Sequence, residues 1–112
     1  MDEEMADGEK LVRGLFDAFN EQEWEKYDEV LADDVVVHES GEDMHGIEEM
    51  VEHDRQFQDQ HPNATITVAD SVASGERVAA REDISADGLE GSGILFGRIE
   101  NGKLAEIWVL TD

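Results

Sequence analysis

The chain has no cysteine, which excludes disulfides and thiolate chemistry. It has one proline, Pro62, and only three lysines among eight basic residues, set against thirty acids. Nucleic acid is therefore an unsuitable partner, because phosphate contacts need a basic patch. No apolar run approaches the roughly 18 residues of a transmembrane helix. The opening MDEEMADGEK is acidic and lacks an apolar signal core, so a cytoplasmic protein with no membrane contact is expected. Without such a signal, the sequon Asn63-Ala64-Thr65 reads as the start of a strand. HExxH and calcium-loop patterns are missing. His38, His45, His53 and His61 follow at intervals of seven, eight and eight, which fit no ligand motif. The expectation is no metal and no cofactor.

What is present is charge and pattern. A net charge of −22 opposes compaction in dilute salt and is screened at high ionic strength. Apolar residues make up 39% of the chain and recur with regular periods, which separates this sequence from a disordered acidic tail. The reading is a single domain over 1–112 with a solvated acidic skin of the kind found in salt-accumulating microbes.

Met5, Leu11, Val12, Leu15, Phe16 and Phe19 form one helical stripe. Asn20 can end that helix or, with Glu23, cap a short second one bearing Trp24, Tyr27, Val30 and Leu31. A strand is expected from Val35 through VVVHE, then a polar turn SGEDMHG. A third helix carries Ile47, Met50, Val51 and Phe57 and stops at Pro62. Four strands follow: TITVADSVA, RVAAREDIS after an SGE turn, a glycine-interrupted strand through Ile94 and Phe96, and a last strand after ENG. The order ααβαββββ gives an α+β fold, with three helices on one face of a curved, largely antiparallel sheet.

With LFDAFNEQEWEKYDEVLADDVVVHES, MHGIEEMV and GRIENGKLAEIWV in this order, the chain resembles the SnoaL-like polyketide-cyclase group of the nuclear transport factor 2-like superfamily. The resemblance spans nearly the whole chain. It implies a cone-shaped α+β barrel, in which a strongly bent mixed or antiparallel sheet wraps an apolar pocket, and an outer sheet face often used for dimerisation. The scaffold hosts isomerases, cyclases, hydrolases and binders, so it fixes no reaction.

The last hairpin decides which side chains enter that pocket, since one residue of slippage exchanges the faces. A two-residue Asn101–Gly102 turn would place Leu95 opposite Trp108. A three-residue Glu100–Asn101–Gly102 loop would pair Ile99 with Lys103 and place Leu95 opposite Ile107. The resemblance favours the second, with Leu95, Gly97, Ala105, Ile107 and Val109 inward. Leu15, Phe16, Phe19, Trp24, Tyr27 and Val37 complete the expected lining, for a small apolar molecule. Outward go Ile94, Phe96, Leu104, Trp108 and Leu110. Such an apolar face needs cover, and a homodimer through Ile94, Phe96, Trp108 and Leu110 is expected.

Three catalytic templates apply through the resemblance. The acid–base Asp and supporting His of the cyclases fall at Val109 and Leu95, which carry no proton. The base of the ketosteroid isomerases falls at Glu39, but their oxyanion donors fall at Leu15 and Leu95. The Arg-x-Asp of epoxide hydrolases of the limonene type falls at Arg81-Glu82-Asp83, and their second Asp at Val109. Arg81 and Asp83 share a strand face, so the guanidinium can hold the carboxylate. They are read either as a polar pocket pair, with Glu39, or as an ion pair on a solvated strand. The apolar residues at Leu15, Leu95 and Val109 make the reading a pocket protein that binds a small apolar ligand, with a cofactor-free isomerase, cyclase or epoxide hydrolase using Arg81, Asp83 and Glu39 as the alternative. His38 must face away from Glu39, and only one of the two enters the pocket.

Overall fold

A computed structural model describes residues 7–111; Met5, at the start of the first stripe, lies outside them. Helix α1 (Asp7–Glu21) begins with Asp7 and Glu9, which suit the positive end of its dipole. Its stripe buries Val12, Leu15, Phe16 and Phe19 by the expected three- and four-residue spacing. Gln22, at φ +57°, turns the chain into a 3₁₀ helix over Trp24–Glu29, the expected second helix. Asn20 does not cap it. Its side chain donates to the Ile66 carbonyl at 2.9 Å and accepts the Ile66 N–H at 2.7 Å. That tie fastens the end of α1 to a sheet edge.

Strand β1 (Leu31–Glu39) starts earlier than Val35. The polar SGEDMHG segment is also more than a turn. Ser40 and Gly41, at φ +53° and +81°, form a two-residue reversal of the type that matches strand twist. It leads into β2 (Glu42–His45), which pairs antiparallel with β1 and buries Met44. Helix α2 (Ile47–Gln60) follows. Its buried Gln58 donates to the carbonyls of Phe19 and Ala64 at 3.1 and 3.2 Å, joining both helices to the next strand. Then come β3 (Thr65–Ser74), β4 (Arg77–Ala86), β5 (Leu89–Glu100) and β6 (Lys103–Thr111).

The sheet order is β2-β1-β6-β5-β4-β3. It is mixed, because β1 runs parallel to β6, and it is curled rather than closed, since β2 and β3 remain separate edges. Helix α1 packs on β3 and β4, and α2 on β1 and β2. The core between them includes Tyr27, Leu31, Val35, Val37, Leu104 and Ile107. No helix among the described residues is long and apolar enough to cross a membrane.

The β5–β6 hairpin corrects the expected register. Asn101 and Gly102 both have positive φ, +54° and +80°, and Glu100 pairs with Lys103. This is the two-residue turn that Asn-Gly favours, not the three-residue loop. Ile99 then faces Leu104, but Arg98 faces Glu106, so Ala105 is an extra, bulged residue. Leu95 consequently lies opposite Val109, a partner that neither turn alone would give. The bulge turns Leu104 and Ala105 both inward, which overturns the outward placement of Leu104. Leu104 lies over Gly97, where an added Cβ would meet its Cδ2 at 2.8 Å. Ile94, Phe96, Trp108 and Leu110 are exposed.

Candidate functional site

The inner face of the sheet and the two helices enclose a cavity of about 90 Å³, well above the roughly 10–15 Å³ needed by one water. Of the residues expected to face it, Leu15, Phe16, Phe19, Tyr27, Val37, Leu95, Ile107 and Val109 line it, and Gly97 and Ala105 do not. Nor does Trp24. It stands behind the wall, edge-on to Phe19 at 6.3 Å and to Tyr27 at 5.7 Å. Met50, Phe57, Ile66 and Ile84 complete the apolar lining.

Glu39, at the end of β1, reaches the cavity, because Val35 and Val37 set the inward phase of that strand. His38 takes the outer face, stacked on Trp108 at 5.5 Å. Its Nδ1 lies 2.8 Å from Asp43 Oδ1 and its Nε2 2.8 Å from Glu106 Oε2. Those carboxylates, Glu106 first, raise the His38 pKa.

Arg81 and Asp83 do not line the cavity. Along β4, Val78, Ala80 and Ile84 face inward, so Arg81 and Asp83 point to the outside. Arg81, with its side chain 61% exposed, donates from Nε and Nη2 to Asp70 on β3, at 3.3 and 3.2 Å. Asp83 is exposed and stands beside Thr67 and Ser92 in the sheet. The residue between them is the one that enters. Glu82 is 4% exposed and lines the cavity. The alternation Val78-x-Ala80-x-Glu82-x-Ile84 is the signal that identifies it.

Helix α2 supplies two more groups, His53 and Asp54. Asp54 falls on the stripe Met50–Asp54–Phe57, at the four- and three-residue steps that face the core. The buried Tyr27 hydroxyl donates to Asp54 Oδ2 at 2.6 Å. His53 Nδ1 lies 3.0 Å from Asp54 Oδ1, which places the ring proton on Nδ1 and leaves Nε2 for a ligand. Burial, reinforced by Asp54, keeps the tyrosine protonated far above its usual range. The Asp54 hydrogen bond raises the His53 pKa against the opposing effect of burial.

The carboxyls respond to the same surroundings. Burial first, then the charges of Glu39 and Asp54, pushes Glu82 up to about 7. Glu39 is also raised, chiefly by burial, while His53 pulls the other way. No buried side-chain polar atom among the described residues lacks a partner, and no hydrogen bond contributes to the raised pKa of Glu82. Its oxygens therefore open onto the cavity space. A carboxyl titrating near neutrality and a histidine titrating above its ordinary 6.5 sit around one apolar space, the arrangement that divides acid and base roles. Among the described residues no group of three or more acidic, histidine or cysteine side chains is placed to hold a metal ion.

Comparison with known proteins agrees with this architecture. No curated protein matches the sequence. Among solved structures, the proposed polyketide cyclase IdmH of Streptomyces antibioticus superposes with a TM-score of 0.82 at 24% identity, covering 93% of this chain and 91% of that one. A proposed ketosteroid isomerase of Kribbella flavida gives 0.83 at 20% identity over 95% and 78%. A proposed SnoaL-like polyketide cyclase of Jannaschia gives 0.84 at 14% over 99% and 92%. These likenesses establish the nuclear transport factor 2-like fold. The SnoaL-like domain pattern itself matches residues 12–107, from the first buried valine of α1 to the buried isoleucine of β6, and the chain belongs to that family.

Proposed function

We propose that the cavity binds a small, mostly apolar molecule and moves a proton on it without a cofactor, a reaction of the isomerase or cyclase class. One arrangement carries this reading: Glu82, only 4% exposed, lines a largely hydrocarbon cavity, where burial and the charges of Glu39 and Asp54 push its pKa up to about 7. A base is most effective when its pKa lies near the working pH. The Glu82 carboxylate takes the proton from the ligand. His53, held through Nδ1–H by Asp54 and kept as the imidazolium by that carboxylate, gives its Nε2 proton to the atom that gains one and regains a proton from water when product leaves, as Glu82 gives its own up; Tyr27 fixes Asp54. Leu15, Leu95 and Val109 favour a second reading, a binding module without chemistry, because they put hydrocarbon where the resemblance implies acids and donors. Proton NMR in D₂O separates the two. A panel of small ketones, imines and alkenes is scanned for protein-dependent loss of carbon-bound hydrogen signals. Exchange that Glu82→Gln abolishes while binding persists supports proton transfer; exchange unchanged in that variant overturns it.

The proposal includes a homodimer. Ile94 is 51% and Leu110 73% exposed, and with Phe96 and Trp108 they form one apolar surface. Beside it, His38, Arg98 and Glu106 satisfy one another. Burial against a second copy removes this surface from water. Sedimentation should give a dimer for the native chain and a folded monomer for Trp108→Lys. A native monomer at micromolar concentration overturns the assignment.

A further inference from the structure

The cavity also restricts the charge of what it takes, an inference that rests on its being the ligand site. Glu39, Asp54 and Glu82 line it, and no lysine or arginine does. Asp54 is already engaged by Tyr27 and His53. Neither Glu39 nor Glu82 gains a hydrogen bond, and His53, the one lining group able to carry positive charge, eases Glu39 but not Glu82. A buried carboxylate without a partner is strongly disfavoured, and a positive ligand group or a proton relieves it. An anionic ligand would add another like charge to a space that already crowds three carboxyl groups. A developing oxyanion fares little better, since Leu15, Leu95 and Val109 offer it no donor and only His53 could. A cation with an apolar body fits both parts of the lining. Its charge meets the carboxylates and its hydrocarbon meets Leu95, Ile107 and Val109.

We infer that the cavity selects a small apolar molecule bearing a positively charged nitrogen, a protonated amine or iminium, with Glu82 as its principal counter-ion. Glu82 is the decisive residue because it is buried, unpartnered and directed into the space; the acidity of the lining alone would describe much of this protein's surface.

The test uses three probes of one shape and three charges: benzylamine, benzyl alcohol and benzoate. Calorimetry at fixed ionic strength measures affinity, and amide shifts locate the binding. Benzylamine should bind about tenfold or more tightly than benzyl alcohol, benzoate should not bind, and the shifts should concentrate at Val37, Glu82 and Ile107. Glu82→Gln should erase the preference for the amine and retain the alcohol. If the alcohol binds the native cavity as tightly as the amine, the charge inference fails and the ligand-site reading stands. If none of the probes shifts the cavity amides, both fail. Amine binding that shifts only surface amides is adsorption to the acidic skin and also overturns the inference.

Discussion

Replacing Glu82 with glutamine should stabilise the protein at alkaline pH and do little at acid pH. In the unfolded chain this carboxyl titrates near its ordinary 4.5, and in the folded chain near 7. The folded state therefore holds the proton more tightly, and stability falls as pH rises between those two values. Below about pH 4 both states are protonated and the residue is neutral in effect. Above about pH 8 both are ionised, and the folded state bears the whole penalty of a charge buried beside Glu39 and Asp54. The separation of the two values corresponds to about 3 kcal/mol. Between pH 5 and pH 8 the change is about 2–3 kcal/mol, because the unfolded chain is already partly ionised at pH 5.

Glutamine keeps the shape and removes the titration. The cost of leaving its amide in the cavity is common to both pH values and cancels in the comparison. Urea denaturation of both proteins, at one high salt concentration and followed by tryptophan fluorescence, gives the four free energies required. The advantage of Glu82→Gln should grow by about 2–3 kcal/mol from pH 5 to pH 8. An advantage that stays constant within about 0.5 kcal/mol, near the error of extrapolation, would refute the claim that Glu82 is buried with an elevated pKa. Glu82 would then be an ordinary carboxylate, unsuited to act as the base at neutral pH.

Other consequences are more local. Gly93→Ala places a Cβ 2.6 Å from the Leu110 carbonyl oxygen, so β5 and β6 must part, and a loss of about 1–3 kcal/mol is expected in denaturation. His38 behaves in the opposite sense to a salt-bridged acid. Its pKa is raised by Glu106 and Asp43, so the pair's contribution is full below about pH 6.5 and disappears as pH rises through the elevated value. The stability difference between the native chain and His38→Gln should accordingly shrink from pH 6 to pH 9, and a widening difference would contradict it. Raising salt from 0.1 to 1 M shortens the Debye length from roughly 10 to 3 Å, and a chain of net charge −22 should gain melting temperature. A flat response would mean that its acidic skin is not self-repelling.

How far such features can be read from sequence depends on whether a local pattern carries them. The helical stripes of α1 and α2 and the β4–β5 strands follow from spacing alone. Strand β2 was hidden because Met44 is the sole apolar residue in a polar segment, and no alternation forms around one residue. Glu82 was legible, since Val78, Ala80 and Ile84 fix the phase of β4. The Arg-x-Asp pattern drew attention instead to its neighbours, whose outward direction that same phase dictates. Asp54 was legible in the same way, on the stripe between Met50 and Phe57, but a charged residue on an apolar stripe is easily assigned to solvent.

The hairpin shows a subtler limit. Side-chain faces in a strand depend only on whether the register is odd or even. A three-residue loop and a two-residue turn followed by one bulge differ by two in register, so they send Leu95, Ile107 and Val109 to the same face. The loop was the wrong geometry with the right parity. No residue pattern announces the bulge, because Leu104 and Ala105 are adjacent apolar residues that suit either face. It is set by packing, with Leu104 over the open side of Gly97. The bulge places Val109 directly opposite Leu95, and both are hydrocarbon where the resemblance implies an acid–base pair. The ionisable groups come from β4, β1 and α2 instead. In the proposed proton transfer the substrate is therefore met by Glu82 on β4 and His53 on α2 rather than from the end of β6. Restoring an acid by Val109→Asp would add another carboxyl to Glu39, Asp54 and Glu82, and should raise the Glu82 pKa further rather than recreate the relatives' chemistry.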